Sequence, residues 1–455
     1  MFKHQLETIS LNRFKQQLPL LSIDVPHSQS VTVLFLANTG SRYETAEQEG
    51  IAHFFEHMVF KGSQHYPQAQ DLSRALDSVG AEFNAFTSKE YTGYYVKTAP
   101  ANFDLALDVL SDMLFVPTLR QADIDREKGV IIEELNMYKD MPSQYVGDVL
   151  EQLLFTDQQL AHDIVGRQAT IQSFTSADFQ QFLNHYYGPE NMLLVVAGAL
   201  NKISPRHQVL LDKLSLALAK LDQQRGQGVK LPRPSFQPQN QGQPINQSAF
   251  AADRLRLLTK PSEQAHFVMA WPALDAHHPD KYALQVLATI VGGNMSARLF
   301  TELREKRGLC YYVHSSAEFY HDSGYLAASA GVDTKRVEEA IKVTKNVFSA
   351  LVSGEGQPGQ SGRISEAELL RAKNYLTAKL LLGLETSHSL AQFFGFKQLL
   401  SDQILTPATV IKRIEAVTLG DLERLASLII QPQTLRLAMI ANLKSADKIE
   451  HWLDT

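Results

Sequence analysis

The chain has a single cysteine, Cys310, among its 455 residues. An internal disulfide and a Cys-rich zinc site are therefore both excluded. Long apolar runs are missing too, and none is long enough to span a bilayer. The opening residues, Met1-Phe2-Lys3-His4-Gln5-Leu6-Glu7, lack the apolar stretch of a secretion signal. A cytoplasmic location without a membrane partner is the simplest expectation, and a processed precursor would look the same. Charge of one sign is also scarce: 43 Lys and Arg stand against 49 Asp and Glu, a net charge of −6. There is no basic stripe, which argues against a nucleic-acid partner. With 44% hydrophobic and 20% charged residues, the chain can bury two or more cores.

Composition divides the chain near its middle. The stretch from Asp222 to Ala252 is rich in Gln, Pro, Gly, Ser and Asn, and cannot build a core. The expected organisation is a first domain at 1–222, a linker at 223–252 and a second domain at 253–455. A second loop is expected from Ser353 to Gly362. The two halves read as divergent copies. In the first, a helix near Ala69–Val79 precedes strands within Phe83–Thr98 and a helix at Asn102–Leu114. In the second, a helix near Ser296–Lys306 precedes strands within Cys310–Val332 and a helix at Thr334–Leu351. The class is α+β: two related domains in tandem, each an antiparallel sheet packed by helices.

The most informative run is His53-Phe54-Phe55-Glu56-His57, an H-x-x-E-H pattern in an otherwise apolar segment. Histidines at i and i+4 share one face of a helix, one turn apart. Two imidazoles so placed can grip one Zn²⁺, which takes three protein ligands and leaves a position open. Glu56 lies on the same face, where a carboxylate can take a proton from water.

A third ligand must come from elsewhere. The stretch Gln121–Leu135 is acidic and periodic. Glu127 and Glu134 are seven residues apart, two helical turns, so both point the same way. Glu133 points about 100° away from Glu134. Glu134 is the expected ligand, with Glu127 behind it orienting a ligand histidine or water. By spacing alone, a solvated acidic helix would look the same. A carboxylate-bridged di-iron bundle would need repeated E-x-x-H pairs, and no convincing second pair is present.

Together these motifs resemble the pitrilysin family of zinc peptidases, the inverzincins, which include insulysin and the mitochondrial processing peptidase. In that family a downstream Glu within E-x-x-V-x-x-x-E completes H-x-x-E-H. Here the separation is 134 − 57 = 77, with Glu127, Val130 and Glu134 filling the pattern and Lys128 where Arg is usual. Gly40-Ser41-Arg42-Tyr43-Glu44 and Phe60-Lys61-Gly62-Ser63 flank the metal run. Gly80–Ser88 resembles the family's G-A-x-x-N-A-x-T-S strand, and Arg298–Tyr311 its R-L-F-x-x-L-R-E-K-x-G-L-x-Y segment. Cys310 stands where a small residue is usual.

The resemblance implies one Zn²⁺ per chain on His53, His57 and Glu134, with Glu56 as general base. It implies that Arg304 and Tyr311 help hold substrate at the zinc site, and that Asn84 and Ala85 lie on a strand edge where peptide adds as a further strand. The implied activity is endopeptidase cleavage of short or unfolded peptides in a closed chamber. The implied assembly is a clamshell-like homodimer, with Arg304 and Tyr311 acting on the partner's zinc. The alternative is a catalytically silent relative of the same fold.

Overall fold

A computed structural model describes residues 3–11, 16–203, 253–355, 362–401, 403–443 and 446–454. The expected linker at 223–252 lies outside the described residues, as does most of the loop expected at 353–362. The described residues of Met1–Asn136, His162–Ser235 and Leu382–Leu405 form one compact unit. Those of Met137–Ala161, Phe236–Leu381 and Thr406–Thr455 form the other.

The first unit is built on β1 (Lys3–Leu11), β2 (Gln16–Asp24), β3 (Val31–Ala37), β4 (Glu82–Thr87), β5 (Thr92–Thr98) and β6 (Met192–Gly198). Their order is β1-β2-β6-β3-β5-β4. Every residue of β3 and β6 is buried, which suits their near-continuous apolar sequences to the middle of a sheet covered on both faces. Alternate side chains of β3 meet different helices. Phe35 meets Phe115 of the helix Phe103–Phe115 edge to face. Leu34 and Leu36 face Gly395 of the helix Ser387–Ser401. A Cβ on Gly395 would stand 2.8 Å from Leu36 Cδ1, so this glycine allows the helix to lie close on the sheet.

The second unit repeats the plan with β7 (Leu255–Thr259), β8 (Gln264–Pro272), β9 (Cys310–Phe319), β10 (Gly324–Asp333) and β11 (Arg436–Ala441). Their order is β7-β11-β8-β10-β9. It matches β2-β6-β3-β5-β4 strand for strand, so the two domains are related. The expected sheets were antiparallel, yet each is mixed: β2 runs parallel to β6, and β7 parallel to β11. The other pairings are antiparallel. A parallel neighbour needs a long crossover, and alternation of residue types does not reveal strand direction.

Each unit is discontinuous, unlike the division expected from composition. The helix Pro142–Leu154 falls in the first half of the sequence. It buries Val146, Val149, Leu150 and Leu154 with Val268, Ala270, Ala438 and Ile440 of the second sheet. The helix Ser387–Ser401 falls in the second half and packs on the first sheet. No helix among the described residues is long and apolar enough to cross a membrane.

Candidate metal centre

The motif folds as a short helix, α1 (Ile51–Met58). Its start is set by backbone geometry. Gly50 has φ +93°, and a Cβ there would lie 2.5 Å from the Val165 carbonyl oxygen. The first turn has no Ser, Thr or Asp cap. Instead Glu44 reaches back, and its two carboxylate oxygens accept the N–H groups of Gly50 and Ala52, each at 2.8 Å. Burial pushes the Glu44 carboxyl up to about 8, against the pull of those two donors. Ile51, Phe54, Phe55 and Met58 are buried, with Phe54 on Phe179 and Phe55 on Tyr187. That anchors one face of α1 and leaves His53, Glu56 and His57 on the other.

The second motif folds as a long helix, α2 (Gln121–Lys139), which buries Ile124, Glu127, Ile131 and Leu135. Glu134 turns toward the histidines, while Glu133 is exposed. His53 Nε2 lies 3.6 Å from Glu134 Oε1, and His57 Nε2 lies 3.4 Å from Glu134 Oε2. The three side chains offer ligand atoms that all fall within 4.8 Å of one another.

These residues fit a zinc ion. Donors held at about 2.0–2.1 Å in a tetrahedral arrangement stand roughly 3.3 Å apart, close to the separations found here. His57 keeps Nε2 toward the cluster because its Nδ1 is engaged by Glu127 Oε1 at 3.0 Å. That pairing fixes the ring and its tautomer, as metal-ligating histidines require. His53 has a buried Nδ1 with no hydrogen-bond partner among the described residues.

Charge is arranged around the donors. Burial works against ionisation of Glu127, but hydrogen bonds from His57 and Lys61 outweigh it and hold the carboxyl below its usual range. Lys61 Nζ is 2.6 Å from Glu127 Oε2. The His53 imidazole beside it holds the Glu134 carboxyl low, against its partial burial. Glu56 goes the other way: burial raises its carboxyl, and a hydrogen bond from Thr87 only partly offsets this. Thr87 Oγ1 donates to Glu56 Oε2 at 2.6 Å. Lys61, Thr87 and Glu44 were missed as site residues, although all three lie in segments flanking or following the motif.

Asn84 and Ala85 sit on β4, at the end of the sheet. β4 pairs with β5 alone among the described residues, with Asn84 opposite Tyr95 and Ala85 opposite Tyr94. Asn84 is exposed and Ala85 buried. The Ala85 N–H is taken by the Asn84 side chain at 2.9 Å. The other side of this strand has the form of a free edge.

Arg304 and Tyr311 lie in the second unit and are brought together there. Arg304 sits in a π-helical turn, Phe300–Glu305, a rare form often found at functional sites. Its Nη1 donates to the Tyr311 carbonyl at 2.8 Å, and its guanidinium lies 5.5 Å from the Tyr311 ring centroid. Tyr311 is 77% exposed. The rest of the motif holds this turn in place. Arg298 grips Glu368 through two nitrogens at 2.7 and 3.0 Å and also donates to the Gly362 and Arg363 carbonyls. Burial opposes ionisation of Glu368, but Arg298 prevails and holds it at about 2. Buried Glu302 is paired with Lys306 and Arg307. Cys310 is buried, which pushes its thiol up to about 11.

Comparison with known proteins shows the family to which the chain belongs. The family described as insulinase (peptidase family M16) matches residues 20–168, and the M16 inactive domain matches residues 173–376. The uncharacterized zinc protease YmxG of Bacillus subtilis is 32% identical over 401 residues, covering 88% of this chain and 90% of that protein. The chain belongs to the M16 peptidase family. This is the insulysin-type family that the motifs resemble, in its short two-domain form. Another relative, an uncharacterized zinc protease of Streptomyces coelicolor, is 31% identical across 93% of this chain and 88% of its own length. Two solved structures share the fold. A protease from Helicobacter pylori superposes with a TM-score of 0.80 at 21% identity, covering 96% of this chain and 99% of that one. An M16 inactive domain from Pseudomonas fluorescens gives 0.81 at 17% identity, covering 97% and 98%.

Proposed function

We propose that this M16 chain is a zinc-dependent endopeptidase acting on short or unfolded peptides. The observation that carries the reading is the convergence of His53, His57 and Glu134 within 4.8 Å, with Glu56 on the same helix face. In this reading those three residues hold one zinc ion per chain. A bound zinc supplies an activated water and polarises the scissile carbonyl. Glu56 would serve as the base, accepting a proton from the attacking water and giving it to the leaving amine. Glu127 holds the His57 ring in place. The free edge of β4, with Asn84 and Ala85, accepts the peptide through main-chain hydrogen bonds, so recognition is broad in sequence.

A silent relative would be expected to have lost part of this set. Every metal-motif residue is in place, and all of them fall within the insulinase match at 20–168. The inactive-domain match begins at 173, after them. The test is cleavage of a quenched fluorescent peptide by the purified protein. Cleavage should stop with a zinc chelator and return when zinc is restored. Cleavage indifferent to chelator, or none with zinc bound, would rule the reading out.

We further propose a cytoplasmic homodimer in which Arg304 and Tyr311 of one protomer serve the zinc site of its partner. Tyr311 would donate its phenol hydrogen to the developing oxyanion, with Arg304 adding charge. Subunits carrying Glu56→Gln, mixed with subunits carrying Tyr311→Phe, would then form heterodimers with one doubly defective and one intact site. Activity should return to about half per heterodimer, given a closed two-fold assembly. No recovery, with subunit exchange confirmed by differently tagged chains, would exclude action in trans.

A further inference from the structure

Two of the sequence motifs meet behind Glu56. The hairpin turn Ser88–Tyr91 joins β4 to β5, closed by the Ser88 N–H on the Tyr91 carbonyl at 2.8 Å. Gly40 lies against it, and a Cβ there would stand 2.2 Å from the Ser88 carbonyl oxygen. The Ser41 and Arg42 N–H groups donate to the Ser88 and Lys89 carbonyls at 3.3 and 3.0 Å. The Arg42 side chain forms a buried ion pair with Glu90. Two residues further on, Glu44 caps α1. One short segment, Gly40–Glu44, thus grips both the turn that follows Thr87 and the helix that carries Glu56.

Thr87 is the last residue of β4 and pairs with Thr92, whose hydroxyl donates to the Thr39 carbonyl at 2.9 Å. Its branched side chain has few rotamers. Its hydroxyl meets Glu56 Oε2 at 2.6 Å, within the range of a hydrogen bond to a carboxylate. A glutamate has three rotatable side-chain bonds, and the Thr87 hydroxyl tethers one oxygen of this one while leaving Oε1 for water.

We infer that Thr87 is a positioning residue for Glu56, held in register with the metal helix by the Gly40–Glu44 segment. The inference rests on Glu56 acting as the base. It explains why a strand that would receive peptide ends in a threonine aimed at the helix.

The test uses the zinc-loaded protein and a quenched fluorescent peptide. Thr87→Val keeps the shape and removes the donor. It should lower kcat about tenfold or more, with KM within about twofold and zinc content unchanged. Thr87→Ser restores the donor and should recover kcat to within about threefold of wild type. In a Glu56→Gln background, Thr87→Val should lower the residual rate no further, since the two residues act as one unit. Should Thr87→Val not fold, Thr87→Ala carries the same expectations. Wild-type kcat in Thr87→Val would overturn the inference, as would a Ser variant no better than Val. So would a full tenfold loss persisting beside Glu56→Gln. If Glu56→Gln itself is fully active, both this inference and the assignment of the base fall. If Glu56→Gln is defective and Thr87→Val is normal, only the inference falls.

Discussion

Glu56→Gln should leave zinc bound and peptide affinity intact while turnover falls by about 10² or more. The amide has the shape of the carboxylate and still accepts the Thr87 hydroxyl found 2.6 Å from Oε2. It also leaves the imidazoles of His53 and His57 and the carboxylate of Glu134 untouched, so the ligand atoms within 4.8 Å of one another stay together. What it cannot do is accept a proton, and proton transfer by a positioned group typically contributes about 10²–10⁴-fold. The measurements are zinc content by elemental analysis, peptide binding by fluorescence anisotropy and kcat with a quenched peptide. An unimpaired kcat would end the assignment of Glu56 as base. Loss of zinc would instead make Glu56 part of the metal-holding set.

The features that were legible in the sequence are those fixed by local geometry. Histidines four residues apart meet in any helix, and Glu127 and Glu134 share a face because seven residues make nearly two whole turns. The repeated order of helix, strands and helix in the two halves was readable from hydrophobic periodicity. It corresponds to observed elements such as Phe103–Phe115 and Val337–Ser353. The partners of those elements were not readable. Pro142–Leu154 shows an apolar stripe, but nothing in a stripe says which sheet will cover it, and it packs on β8 and β11. The parallel pairs β2–β6 and β7–β11 arise from the path of the chain, not from residue pattern. The supporting contacts were hidden for a related reason. Glu44, Lys61 and Thr87 act through single hydrogen bonds whose partners depend on how β4, α1 and α2 come together. Thr87 and Glu56 are 31 residues apart, and Lys61 and Glu127 are 66 apart by 127 − 61. A Thr, a Lys or a Glu in a flanking segment has no period to mark it.

The acidic helix gives the other large effect, because neighbouring glutamates on α2 should differ sharply in what they do. Glu134→Gln replaces the anionic carboxylate by a neutral amide, while His53→Ala and His57→Ala each remove a ligand nitrogen, and all three should abolish tight zinc binding and with it peptide cleavage. Glu133→Gln, one residue away, changes an exposed side chain on another face and should bind zinc and cleave peptide as wild type does. Glu127→Gln should fall between them. Its carboxylate touches His57 Nδ1 at 3.0 Å and Lys61 at 2.6 Å without being one of the three clustered donors. Loss of such an orienting contact typically costs about 10- to 100-fold in metal affinity or activity. Competition with a chromophoric chelator would rank the variants. The required order is Glu133→Gln equal to wild type, then Glu127→Gln weakened, then Glu134→Gln without tight binding. If Glu133→Gln lost zinc while Glu134→Gln kept it, the ligand would be displaced by one residue, about 100° around the helix. If Glu127→Gln lost zinc as completely as Glu134→Gln, the metal would depend on the orientation of His57 as much as on a third ligand.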